Sequence, residues 1–283
     1  ALSATPERYF DDDGTEAIFN YFGSILEPEF TLADAIAEQA LTRYDYYPIL
    51  VELTKSESLT YAKLTQRIGW ALNKNNNLTN NETLNSLLMQ RSRLIGAASN
   101  KLIALRHLMQ DRLNTSHTLF YCGDGYVESK SIYRRQIEAV TRILGTELGY
   151  RINTYTADTS LVEREQLLYQ FQSGQLQGLV AIKCLDEGVD IPAIQTAVIL
   201  ASTTNPRQFI QRRGRILRPH PGKEKATLFD AIVMPPALDR ETLNVERNLL
   251  RKELKRFIEF ADLADNAEEA RKKFFLLQDR YSL

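Results

Sequence analysis

Two hydrophobic periods alternate through the middle of this chain, and their order predicts the fold. Thr118-Leu119-Phe120-Tyr121-Cys122 is a short apolar run that ends at a Gly123-Asp124-Gly125 turn. From Ser131 to Glu147 the period lengthens: Ile132, Ile137, Val140, Ile143 and Leu144 share one side of a helix, and Gly149 stops it. Arg151 to Thr156 then reads as a strand. Ser160-Leu161-Val162-Glu163 has the form of a capping box, opening a helix that runs to Phe171 and ends at Gly174. Gly178 to Ile182 and Thr196 to Leu200 are unbroken apolar runs, as expected of strands buried on both faces of a parallel sheet. Asn205-Pro206 offers an N-cap and a first-turn proline for one more helix, and Lys225 to Val233 one more strand. Strand and helix in alternation with short connections predict a doubly wound α/β domain over 115–235.

The flanks carry mostly the helical period. Residues 14–22 and 31–40 read as helices, Pro48 to Leu53 as a strand, and Ser56 to Asn73 as a longer helix. Lys74 to Asn81 is polar and turn-prone, so a loop is expected near 74–81. A long helical region then reaches Leu113, interrupted near Gly96. After Pro235-Pro236 the remainder is amphipathic, with Leu249, Leu250, Leu254, Phe257, Ile258 and Phe260 as its apolar stripe. Packing on the α/β domain is the simpler use of that stripe, and a partner-binding helix is the alternative. The organisation expected is therefore 1–6, then a mostly helical connecting region over 7–114, the α/β lobe over 115–235, and a helical extension over 236–283.

Composition adds little except through its unevenness. The chain has 283 residues, 43% hydrophobic and 25% charged, and a formal net charge of −1, which describes an ordinary globular protein. Between Arg207 and Lys225, however, seven Lys and Arg face one acid, Glu224. A neutral total excludes a histone-like coat for DNA and leaves room for a groove of local positive potential. Cys122 and Cys184 have neither metal-ligand nor disulfide-framework spacing and read as buried thiols. With no apolar run long enough for a bilayer and no signal peptide, a cytoplasmic, membrane-free protein is expected. The chain opens Ala1-Leu2-Ser3-Ala4-Thr5-Pro6 without an initiator Met, as an excised piece of something longer would.

Chemistry concentrates in Gln211-Arg212-Arg213-Gly214-Arg215-Ile216-Leu217-Arg218. Arg212, Arg215 and Arg218 recur every third residue, and Gln211 and Arg215 are four apart, so on a helix they share a face. Guanidiniums stacked this way repel unless a polyanion lies opposite, and their planar fork suits phosphate oxygens. A solvated basic face is the bland alternative, weakened by the absence of interleaved acids. Upstream, Asp186-Glu187-Gly188-Val189-Asp190-Ile191-Pro192 follows the strand at 178–182, at the carboxyl end where parallel sheets bind ligands. Gly188 permits close backbone approach, and Asp190 can accept from a ribose hydroxyl. Asp186-Glu187 resembles a metal-holding Walker B pair, but no G-x-x-x-x-G-K-[ST] phosphate loop occurs in the chain for it to serve.

Together these motifs resemble the C-terminal half of a superfamily 2 helicase or translocase, nearest the XPB-like and type III restriction (ResIII-like) branch. Leu2 to Pro6 resembles motif III, Leu119 to Gly123 motif IV, Ala181 to Pro192 with its lead-in from Glu165 motif V, and Gln211 to Arg218 motif VI. The resemblance implies a RecA-like lobe in which Arg215 and Arg218 reach the γ-phosphate of ATP and Gln211 lies near that phosphate or the attacking water. It implies that Gly188, Asp190 and Arg212 border the nucleotide, and that Ser3, Thr5, Lys183 and Gly123 touch nucleic acid or couple it to the nucleotide. ATP and Mg2+ would be held mainly by an N-terminal RecA-like lobe of the same polypeptide. The chain alone, lacking a P-loop and an Asp-Glu box, would be inactive. The nucleic acid implied is DNA, through the branch resembled, with RNA left open. Two positions depart from the pattern: Ile182-Lys183 stands where many relatives carry Thr-Asp, and Leu217 replaces a second motif VI glycine. The rival reading is a non-catalytic nucleic-acid or protein binding module built on a RecA-like lobe.

Smaller signals carry their own expectations. His107, His117 and His220 are isolated and read as structural or surface residues, and Asp11-Asp12-Asp13-Gly14 as a solvated turn. Arg91, Arg93, Lys101 and Arg106 either face nucleic acid or form a solvated face. Tyr61 and Trp70 either stack a base or, as the favoured reading, pack in the core.

Overall fold

The computed structural model describes residues 12–74, 82–129, 132–182, 191–201, 214–234, 236, 247, 254, 257–258 and 260–281. Its centre is a six-stranded, wholly parallel sheet of β1 (Arg43–Glu52), β2 (Thr118–Cys122), β5 (Ile152–Tyr155), β6 (Gly178–Ile182), β7 (Thr196–Ile199) and β8 (Lys225–Met234). The order across the sheet is β1-β8-β7-β2-β6-β5. The unbroken apolar runs at 118–122 and 178–182 are interior strands, each paired on both sides, and all five residues of β2 are buried. Helices on both faces complete a RecA-like α/β fold.

The edge strand β1 begins upstream of the boundary expected for the lobe at 115 and is longer than its sequence signal at 48–53. It pairs with β8 from Arg43↔Lys225 to Glu52↔Met234. Its burial alternates because successive side chains point to opposite faces: Tyr44 and Tyr46 join the core on one face, while Tyr47 and Ile49, partly buried, pack on the other. An edge also tolerates Pro48, which has no N–H to give a ladder.

An edge strand left bare invites pairing with other chains, and here the C-terminal segment occupies it. Tyr46 N donates to Asn266 Oδ1 at 2.8 Å, and Asn266 Nδ2 donates to Tyr46 O at 3.0 Å. Asp265 N donates to Tyr44 O at 2.8 Å. Tyr44 stacks on Phe260 with ring centroids 4.4 Å apart, and Phe257 and Phe274 fill the same cluster. The amphipathic C-terminal stripe is thus core packing in its described part, Leu254, Phe257 and Phe260, and is followed by a last helix (Ala267–Tyr281).

One expected helix starts later than its pattern suggested. Between Tyr126 and Arg135 the chain forms a hairpin, β3 (Tyr126–Ser129) against β4 (Ile132–Arg135), and the helix begins only at Gln136. The clue lay in the spacing: Ile132 and Ile137 are five apart, off the helical three-or-four step. From Arg142 to Glu147 that helix widens to π geometry. The Ser160 box forms as expected: Glu163 N donates to Ser160 Oγ at 3.3 Å and Ser160 N to Glu163 Oε2 at 3.0 Å. Ser160 Oγ, which donates to Glu163 Oε2 at 2.8 Å, and then Ser160 N hold the Glu163 carboxyl below its ordinary value. Gly174 ends the helix at φ 75°.

Upstream lie two short helices (Asp12–Phe22 and Leu32–Ala37) and a helical pair, α3 (Lys55–Lys74) and α4 (Glu82–Gly96), followed by α5 (Asn100–Gln110). The pair has its own small core of Leu64, Ile68, Leu84 and Leu87. Most of the loop expected at 74–81 lies outside the described residues. Among the described residues no helix is long and apolar enough to cross a membrane.

Candidate functional site

Both motifs that bear on nucleotide chemistry are described only at their downstream ends. Gly188, Asp190, Gln211, Arg212, Lys183, Ser3 and Thr5 lie outside the described residues, as do Cys184, Asp11 and the expected helix start at Asn205-Pro206. What is described is Ile191-Pro192, the end of the motif V loop, and Gly214 to Arg218, of which 214–216 is helical.

These two ends converge. The loop residues expected at the carboxyl end of the 178–182 strand, Gly188 and Asp190 among them, are outside the described ones. The motif VI segment must return from the carboxyl end of β7 to the amino end of β8, because the two strands are parallel. Its last turn therefore sits at the amino-terminal edge, where Thr42 N, just ahead of β1, donates to Leu217 O at 2.6 Å. Arg215 and Arg218 are half-buried there, while Ile216 and Leu217 are buried in the core beneath. Leu217, where the motif it resembles carries a glycine, spends its side chain on that packing.

The residue that joins the two motifs was missed. Lys223 is 8% exposed, and its ammonium donates to Ile216 O at 2.5 Å, Arg218 O at 2.9 Å and Pro192 O at 3.3 Å. Carbonyls at a helix end carry partial negative charge and lack intrahelical donors, so the lysine satisfies them and ties motif VI to motif V. Burial pushes its pKa down to about 8. The signal available was a lysine closely following an arginine helix, which reads in isolation as one more member of a basic run.

At the other end of the sheet, Gly123 is held by a buried side chain. Gly123 N donates to Gln136 Oε1 at 2.7 Å, and Gln136 Nε2 donates to Gly96 O at 2.8 Å. The motif IV turn is thereby fastened to the end of α4. Space is tight: a Cβ on Gly123 would stand 3.1 Å from Ala201 Cβ, and one on Gly125 2.6 Å from Ala97 Cβ. Gln136→Leu should leave a buried donor and a buried acceptor unmatched and cost about 2–4 kcal/mol in urea unfolding. A loss under 1 kcal/mol would show that the clamp is replaceable.

Neither reading of Arg91 and Lys101 describes them, because both are internal. Arg91 is 3% exposed, with Nη2 donating to Tyr61 Oη at 2.6 Å, and Lys101 is 1% exposed, with Nζ donating to Leu200 O at 2.5 Å. Arg93 and Arg106 pair with Asp124 at 3.6 Å and Glu147 at 2.7 Å. Tyr61 is core, as favoured, but Trp70 is 62% exposed. Cys122 is a buried free thiol, pushed above its ordinary pKa by burial. His117 bonds to its neighbour Ser116 and, across the fold, to the Gln172 carbonyl, and His220 to the adjacent Pro221 carbonyl. Among the described residues no group of His, Cys, Asp and Glu could hold a metal ion.

Comparison with known proteins agrees with the sequence motifs. A family described as helicase conserved C-terminal domain matches residues 102–220. Over 247 residues the chain is 28% identical to a DNA 3'-5' translocase, XPB2, of Sulfurisphaera tokodaii, covering 84% of this chain and 53% of that protein. It is 29% identical over 99 residues to the ATP-dependent RNA helicase DBP3 of Candida glabrata, covering 35% of this chain and 18% of the relative. This chain thus spans about half of the translocase and a smaller share of the second relative. Among solved structures it is similar to the Sulfolobus solfataricus SWI2/SNF2 ATPase C-terminal domain, at 11% identity and TM-score 0.49, covering 74% of this chain and 86% of that one. The match to the helicase conserved C-terminal domain over 102–220 spans four strands of the six-stranded parallel sheet, β2, β5, β6 and β7, and it is to that family that this part of the chain is similar.

Proposed function

We propose that this chain is the C-terminal motor lobe of an ATP-dependent DNA helicase or translocase, and that Arg215 and Arg218 serve as its arginine fingers. The observation that carries the reading is the convergence on Lys223: the ends of motifs V and VI are fastened together at one edge, with two half-buried arginines on the fastened segment. The arginines suit the anionic phosphates of ATP. With no G-x-x-x-x-G-K-[ST] loop in the sequence, the metal and the phosphate loop would belong, as the resemblance implies, to an N-terminal lobe of the same polypeptide.

Phosphoryl transfer asks the protein mainly for positioning and charge stabilisation. Arginines presented from one lobe to a nucleotide held on another act only when the lobes close, so hydrolysis follows closure and product release follows opening. Gln211 would orient the attacking water, and Asp190 and Gly188 would border the ribose. Gly123, Lys183, Ser3 and Thr5 would connect that cycle to the nucleic-acid backbone. DNA rather than RNA is favoured by the branch the motifs resemble and by the longer of the two matches.

The test uses the full-length polypeptide. ATP hydrolysis is measured alone and with duplex DNA, single-stranded DNA or RNA. Stimulation by DNA is expected, and the stronger of duplex and single strand tells a translocase on duplex from a strand-tracking motor. Absence of stimulation by any nucleic acid would leave only the binding-module reading. The 283-residue chain by itself should show no turnover.

A further inference from the structure

Trp70 is the one tryptophan of this chain, and it stands 62% exposed on α3, with no hydrogen bond or ring contact among the described residues. Large aromatic side chains are usually spent on cores or interfaces, as Tyr61 on the same helix is. The neighbours of Trp70 are not random. At about 100° per residue, Leu59, Lys63, Arg67 and Trp70 fall within about 80° of one another on the helix, and all four are exposed. The stripe therefore reads apolar, cation, cation, indole. Neither Lys63 nor Arg67 has an ion pair among the described residues.

The acids that would neutralise such a stripe are absent from it. Along α3 there are four basic residues (Lys55, Lys63, Arg67 and Lys74) against one acid, Glu57. That is three positive charges net in a chain whose total is −1. Glu57 is turned inward, accepting from Thr54 N, Ser99 N and Ser99 Oγ, each at 2.8 Å. The stripe presents positive charge and a free π face together, and α3 lies outside the family match at 102–220.

We infer that the Lys63–Arg67–Trp70 stripe of α3 is a contact for single-stranded nucleic acid, the indole stacking on an unpaired base and the two cations holding neighbouring phosphates. Stacking needs a base whose face is free, which favours a single strand over an intact duplex, and it tolerates any sequence. The inference rests on the proposed nucleic-acid motor and adds to it a contact on an element other than the arginine segment.

The lone tryptophan makes the test direct. The 283-residue chain is titrated with a fluorescein-labelled oligothymidylate of about 16 nucleotides, the upper end of what one module covers, while indole emission and fluorescein anisotropy are followed. Indole quenching with the same midpoint as the anisotropy rise is expected. Trp70→Phe should preserve binding better than Trp70→Ala, which should weaken it about ten-fold or more. Lys63→Gln with Arg67→Gln should flatten the slope of log K against log salt by about 1.4, at about 0.7 for each lost phosphate contact. All three substituted positions are exposed, so the thermal midpoint should stay within a degree or two of the parent and separate a binding role from a structural one. Binding with unchanged indole emission would overturn the inference and leave the motor reading standing. No anisotropy change at all would overturn nucleic-acid binding by this lobe, and the stripe with it.

Discussion

Arg215→Ala or Arg218→Ala in the full-length polypeptide is expected to lower the ATP turnover rate by about three orders of magnitude while leaving ATP affinity within a few-fold of the parent. A guanidinium delivered to the transferring phosphoryl group stabilises charge that develops in the transition state, and such fingers are worth about three to five orders of magnitude. Because that interaction strengthens on the way to the transition state, its loss appears in kcat more than in binding. The lysine variants discriminate further. Lys keeps the charge but not the planar two-pronged donor, so Arg215→Lys should recover only part of the lost rate. Steady-state hydrolysis, paired with equilibrium binding of a fluorescent ATP analogue, reads both quantities. Turnover within ten-fold of the parent in both alanine variants would remove the finger assignment. Loss of binding and folding together would instead mark the two arginines as structural.

How far the sequence carried the fold depends on what each element is made of. Strands buried on both faces announce themselves as unbroken apolar runs, so 118–122 and 178–182 were legible almost to the residue. The Ser160 box was legible because it is a local contract between side chain and backbone, independent of tertiary context. The edge strand β1 was half-legible: its alternation is carried by Tyr44, Tyr46 and Tyr47, whose Oη groups disguise a buried face. The hairpin at 126–135 was missed because a downstream helix with strong periodicity lent its pattern to Ile132.

The site divides in the same way. Motif residues are visible from sequence because their chemistry is unusual for folding, as with arginines at every third position. Lys223 and Gln136 are invisible because their work is to satisfy backbone carbonyls and amides that only the folded chain brings near. Trp70 shows the reverse error. Composition makes an indole a core residue, and only the helix face it occupies says otherwise.

Lys223→Met is expected to destabilise the chain by about 3 kcal/mol near pH 9, and the size of the loss is expected to depend on pH. Removing the amine strands three carbonyls, that of Ile216 buried and those of Pro192 and Arg218 partly buried, and an unsatisfied buried group costs about 1–3 kcal/mol before relaxation. Against this stands the burden the native lysine itself imposes. Its pKa is pushed from 10.5 down to about 8 by burial, so between those values the unfolded chain binds more protons than the folded one. Stability contributed by the lysine therefore rises with pH across that window, is complete above about 10.5, and is lost as pH falls through about 8. At 1.36 kcal/mol per unit the swing is at most about 3 kcal/mol, an upper bound because the three carbonyls favour the ammonium. The gap between parent and K223M in urea unfolding should accordingly widen from pH 7.5 to pH 10. A gap that stays constant would mean that the lysine titrates normally and is charged throughout. A gap near zero at every pH would mean that motifs V and VI hold their edge without it, and the fastening on which the arginine placement depends would have to be sought elsewhere.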